Sequence, residues 1–162
     1  MAAGRRERLP KVHQSMLPRR HPVRNNIKHD IVPAMWEVIY LAEAEHERAE
    51  LPTRDRVAVD HAVAKLEAIG PALPYPHSSN VEGSDDLREL RPQAGKSPWR
   101  PLYRQVGAPF VIAAIGPEAK KNKRGFDKAC QSALDRLAKL EEDNQEDSEE
   151  QEARQDQDET QT

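Results

Sequence analysis

Almost every apolar run of this chain lies between Met35 and Leu140, and the two ends are filled with like charges. Residues 1–33 carry eight Lys/Arg and two acids, whereas residues 141–162 carry eleven acids and one Arg. Segments so charged and so poor in apolar side chains bury too little surface to offset the entropy lost on ordering. Folding is therefore confined to the 106 residues from Met35 to Leu140, the size of one small domain. The sequence predicts a basic disordered arm over 1–34, a folded domain over 35–142 and an acidic disordered tail over 143–162.

Inside the domain the hydrophobic pattern changes period several times. Residues 36–42 read Trp-Glu-Val-Ile-Tyr-Leu-Ala. As a strand this places Trp36, Val38 and Tyr40 on one face and Ile39 and Leu41 on the other. A short helix is expected over Glu43–Glu50, ending before Pro52. A stronger one follows over Arg54–Ile69, with Thr53 as its cap and Val59, Ala62, Val63, Leu66 and Ile69 as its apolar stripe. Gly70-Pro71 stops it. After a Pro/Ser/Gly-rich loop over 71–86, strands are expected at 87–91, 99–106 and 109–115. Gly95 and Gly107 lie in the connections, and Pro101 is a place for a bulge or break. A last helix runs from about Phe126 to Glu142 with Phe126, Ala129, Cys130, Ala133, Leu137 and Leu140 on one side. This order predicts an α+β domain: an antiparallel sheet of three or four strands, with two helices before it and one after it, packed on one face.

One cysteine cannot form an internal disulfide, and no apolar run approaches a membrane span. The basic N-terminus lacks the apolar core of a secretory signal, so the expected location is cytoplasmic. From Arg88 to Lys128 the chain holds ten Lys/Arg against three acids. A small sheet bearing so concentrated a positive field suits a polyanion such as RNA or DNA.

Five features occur in a fixed order: Met35-Trp36-Glu37-Val38, the capped helix ending Gly70-Pro71-Ala72-Leu73, Glu89-Leu90-Arg91, Arg100–Tyr103, and a lysine-bearing turn before the last helix. With this set the chain resembles the RelE/HigB superfamily of type II toxins, in particular the phage-derived HigB-like branch, over roughly residues 35–140. The resemblance implies a small RelE-like fold and the toxin of a toxin–antitoxin pair. It also implies ribosome-dependent cleavage of mRNA that inhibits translation, and an antitoxin partner, typically of helix-turn-helix type. Two departures stand out. Pro117 and Glu118 lie where many relatives carry a different sequence before the lysine pair, here Lys120-Lys121, and Pro101 interrupts the Arg-x-Leu-Tyr strand. The alternative is a non-catalytic binding protein of the same fold, either a degenerate toxin or a gyrase inhibitor.

Metal-independent RNA cleavage uses the 2′-hydroxyl as nucleophile and needs a proton acceptor, charge stabilisation at the phosphorane and a proton donor for the leaving oxygen. Arg91 and Arg100, on adjacent strands, are the candidate phosphate clamps, because a guanidinium grips phosphate with paired hydrogen bonds. Lys121 is a candidate acid, through like-charged neighbours that lower a lysine pKa. Glu89 is a candidate proton acceptor or, alternatively, an ion-pair partner of Arg91 or Arg104. Arg88, Arg104, Lys120, Lys123 and Arg124 are candidate RNA contacts. Tyr103 is read either as a base-stacking platform or as core. His77 falls in an exposed loop, His61 on the surface of the long helix, and Cys130 in the core. The histidines show no metal-ligand spacing, so neither a metal nor a cofactor is expected.

Overall fold

A computed structural model describes residues 35–159; the arm expected over 1–34 lies outside them. Five strands and three helices follow one another: β1 (Val38–Tyr40), α1 (Ala42–Glu50), α2 (Thr53–Ile69), β2 (Ser78–Asn80), β3 (Arg88–Leu90), β4 (Trp99–Gln105), β5 (Phe110–Pro117) and α3 (Lys123–Glu159). The architecture is α+β, as the pattern requires. The strands form one sheet in the order β1-β5-β4-β3-β2. The last four make an antiparallel meander, and β1 lies parallel to β5 with Tyr40 opposite Ile112. The sheet is thus mixed and has one strand more than the sequence suggests.

The helices cover both faces, not one. Val59, Val63 and Leu66 of α2, with Ala44 of α1, pack on Leu90, Tyr103, Phe110 and Ile112. Ala133 and Leu137 of α3 pack on Leu87, Leu102, Val111 and Ala113 across the sheet. Alternation explains the arrangement: β5 is buried along nearly its whole length, so successive residues feed opposite cores. A sheet buried on both sides in its middle needs helices on both sides.

Past Tyr40, β1 no longer covers the outer edge of β5. Side chains close that edge instead. The Ile115 amide donates to Glu47 Oε2 of α1 at 2.8 Å, and Arg136 of α3 donates to the Ala113 carbonyl at 2.8 Å while pairing with Glu47 Oε1. Exposed ladder groups on a strand edge are thereby satisfied without another strand.

Local signals account for the helix ends. Thr53 is the first residue of α2 and makes no capping hydrogen bond, with Pro52 ahead of it. Gly70, at φ +69°, closes α2, and a Cβ there would collide with the Trp36 indole. Asn122 caps α3, its Oδ1 accepting from the Gly125 amide at 2.9 Å. Whereas the sequence placed the end of this helix near Glu142, α3 continues to Glu159. No Gly or Pro follows Gly125, and Glu and Gln are good helix formers, so nothing terminates it. Leu140 is its last residue in the core, and residues 142–155 are all exposed.

Pro101 does not break β4; the register slips one residue later, between Leu102 and Tyr103. Gly116 lets β5 and α3 approach closely, since a Cβ there would lie 2.4 Å from Ala129 Cβ. Gly116→Ala is expected to cost about 1–3 kcal/mol through overpacking. Adding Ala129→Gly should recover part of that loss despite the helix penalty of glycine. A double-mutant cycle in urea reads the coupling.

Candidate nucleic-acid interface

Strand pairing brings β3 and β4 together so that Glu89 stands opposite Leu102 and Arg88 opposite Tyr103. Glu89 and Leu102 therefore face α3, and Arg88 and Tyr103 face α2. On the α3 side, at the end of the sheet beside the start of that helix, lies a hollow of about 210 Å³. Glu89, Arg91, Gly95, Arg100, Glu118 and Lys120 line it. The two candidate clamps and one lysine of the 120–124 cluster thus converge.

Their environments differ sharply. Arg100 is only 2% exposed. Its Nη1 donates to the carbonyls of Ser97 at 2.5 Å and Trp99 at 2.9 Å, and its Nη2 donates to the Gly95 carbonyl at 3.1 Å and Glu118 Oε2 at 2.8 Å. Its Nε is 3.9 Å from Glu89 Oε2. Burial lowers its pKa, while Glu89 and Glu118 act in the other direction; an arginine stays charged throughout. Arg100 therefore spends its donors on the turn between β3 and β4 and on the segment before α3. It shapes the hollow from behind and contributes charge, but it has little left with which to clamp a phosphate.

Arg91 retains more donors. Its Nη1 donates to Glu89 Oε1 at 2.8 Å, its guanidinium lies 5.2 Å from the Tyr75 ring centre, and its Nε has no partner among the described residues. Glu89 accepts from both Arg91 and Ser79 Oγ, each at 2.8 Å. Both bonds fall on Oε1, which makes Glu89 an ion-pair partner of Arg91; its Oε2 lies 3.9 Å from Arg100 Nε. Lys120 is exposed at the opening. Lys121 is held 3.6 Å from Glu118, one of the lining residues.

The other candidates lie elsewhere. Lys123 and Arg124 are exposed on the first turn of α3 and do not line the hollow. A hydrogen bond to Asp127 raises the Lys123 pKa, the opposite of what an acid at this cluster requires. Arg104 pairs with Glu141 far along α3 at 3.1 Å. Arg88 donates to Ser78 Oγ and to Asn80 on the α2 side. Tyr103 is 2% exposed, hydrogen-bonds Ser78 Oγ at 2.7 Å and meets Phe110 edge-on. It is core and presents no face to a base. Cys130 packs beside the α3 core, and burial pushes its thiol up to about 11.

The turn closing the hollow runs through Gln93 and Ala94, both at φ +54°, into Gly95 at φ +90°. Successive left-handed non-glycine residues cost on the order of 1–3 kcal/mol each and concentrate at functional sites. Beyond this turn Arg91 also lines a second cavity, along α2, with Lys65 and His77. No signal of strand alternation joins these residues to the hollow, because they come from a helix and a loop.

An α+β domain with a cationic hollow between strand ends and a helix start is thus defined. The chain belongs to the phage-derived Gp49-like family, whose pattern matches residues 46–138. That is the phage-derived branch to which the ordered motifs pointed. No curated protein matches the sequence. Among solved structures it is similar to a mutant of the Escherichia coli toxin RelE in its free state, with 12% identity and a TM-score of 0.45 over 60% of this chain and 96% of that one. It is also similar to a chain of the Mycobacterium tuberculosis toxin–antitoxin complex RelBE2, with 18% identity and a TM-score of 0.42 over 54% and 95%. A third is the archaeal RelE–RelB complex of Pyrococcus horikoshii, with 19% identity and a TM-score of 0.38 over 51% and 94%. Among the described residues no helix is long and apolar enough to cross a membrane.

Proposed function

We propose that this protein is the toxin of a type II toxin–antitoxin pair and that it acts in the cytoplasm on mRNA at the ribosome, through the hollow between β3, β4 and the start of α3. The observation that carries the reading is the convergence of Arg91, Arg100 and Lys120 on one cavity. Family membership and the ordered motifs support it. In this reading Arg91 and Lys120 hold the scissile phosphate, and the buried charge of Arg100 reinforces the field that stabilises the phosphorane, the largest single term in such a reaction. Lys121 stands near the leaving oxygen. The cognate antitoxin restrains the protein by covering this basic surface.

A second reading, a binding protein without catalysis, is favoured by one specific feature. Both carboxylates of the hollow are paired with cations, Glu89 with Arg91 through Oε1 and Glu118 with Arg100 and Lys121, so neither stands as an unpaired base.

Induced expression separates the two readings. The toxin reading expects growth arrest with mRNA cuts inside translated codons, both lost in Arg91→Ala/Lys120→Ala, a pair chosen because neither side chain is fully buried. Growth arrest with intact mRNA would assign the protein to the binding class. Normal growth without cuts on verified expression argues against any toxin.

A further inference from the structure

Two cavities share Arg91 as a wall. The second runs along α2, has a volume of about 630 Å³ and is bounded on its far side by Arg91, Gln93 and His77. Arg54, His61 and Lys65 line it from α2. Their spacing of seven and four residues places them along one helical face, and all three are exposed. Over those eleven residues the helix rises about 16 Å. Lys65 Nζ approaches His77 Nδ1 at 3.4 Å, so two basic side chains are held together across the groove. Among the described residues no carboxylate lines it. Two of the three acids of α2 are engaged elsewhere, Asp60 with Arg48 and Asp55 with the Trp99 indole, and the third, Glu67, does not line the groove.

We infer that the α2 groove is a second nucleic-acid subsite, in which Arg54, His61, Lys65 and His77 carry the phosphates of a single RNA strand onward from the hollow across Arg91. This rests on the reading that the hollow takes RNA. Tyr75, 71% exposed, lies against the guanidinium of Arg91, the residue both cavities share, and an exposed aromatic ring there can stack on a base. The apolar floor at Val57 and Ala58 is compatible with sugar edges. Charge complementarity selects the ligand: a groove lined by cations and imidazoles, with its strained wall at Gln93, fits a polyanion.

The experiment uses fluorescently labelled oligouridylate of about twelve nucleotides, within the range a single-strand site spans, titrated between about 50 and 200 mM salt. The proteins are the full chain and its Arg54→Ala/Lys65→Ala, Lys120→Ala and Lys128→Ala/Lys139→Ala variants. The last removes the same charge from α3, outside both cavities. The α2 variant is expected to bind at least about tenfold more weakly at the lowest salt. Losing two phosphate contacts should also flatten its salt dependence by about 1.4 in log–log slope. The α3 variant should do neither. Unchanged RNA affinity in the α2 variant, with weakening in Lys120→Ala, overturns the groove and leaves the hollow. Weakening in the α2 variant alone keeps the groove and removes the hollow. No weakening in either removes both. RNA binding that survives in the α2 variant while binding of polyglutamate is lost assigns the groove to an acidic protein segment and overturns the proposal.

Discussion

Arg100→Ala is expected to lower the free energy of unfolding by about 3–5 kcal/mol, the range seen when one partner of a buried ion pair is removed. The side chain is 2% exposed and donates to three main-chain carbonyls as well as to Glu118. Without it, the carbonyls of Gly95, Ser97 and Trp99 and two largely buried carboxylates lose their partner together. Each orphaned group carries its own desolvation cost. Arg100→Lys should recover only part of the loss, because an ammonium cannot span the same fork of acceptors. Arg91→Ala, by contrast, should leave stability within about 1–2 kcal/mol of the parent, since it breaks one partly exposed pair with Glu89. Urea denaturation of the three variants, followed by circular dichroism, reads the order. Equal losses for Arg91→Ala and Arg100→Ala would mean that the two arginines do not divide scaffold from contact as their hydrogen bonds indicate.

The same two arginines show how far the sequence carries. Alternation along β3 and β4 is visible in residues 87–91 and 99–106, and it puts Glu89 and Arg100 toward one side. Whether Arg100 is free is decided by the turn Pro92–Gly95 and by Glu118, which approach it from segments whose path the strand pattern does not specify. Helix α2 was legible because its stripe repeats at the helical period and Gly70 ends it. Strand β2 was not, because Ser78-Ser79-Asn80 has neither apolar alternation nor β-branched residues. It forms because β3 offers a ladder and because Ser78 meets the Tyr103 hydroxyl. The parallel seat of β1 beside β5 depends on a contact between residues some seventy positions apart. No local pattern encodes that contact, although the apolar residues on both faces of 36–42 do fit it. The α2 groove is illegible in the sequence for a related reason: His61 belongs to a helix and His77 to the segment before β2, and only the fold sets them around one cavity.

The last helix separates packing from length. Leu137→Ala is expected to cost about 2–5 kcal/mol, because the side chain is fully buried between α3 and the sheet and leaves a cavity. Deleting residues 143–162 should change stability by no more than about 0.5 kcal/mol, because residues 142–155 touch no core. The helical path of this segment also bears on regulation. An acidic tail tethered near a basic hollow invites a return onto that hollow in competition with RNA. Yet the hollow sits at the start of α3, and Glu141 lies about 28 Å further along the same axis. That separation exceeds the screening length of about 8–10 Å in physiological salt. The truncated protein should therefore bind a short RNA with the affinity of the full chain at physiological ionic strength. A several-fold gain on truncation would show that α3 unwinds beyond Leu140 and that its carboxylates do reach the hollow. Melting curves and RNA titrations on the same pair of proteins distinguish a helix that merely projects from one that folds back.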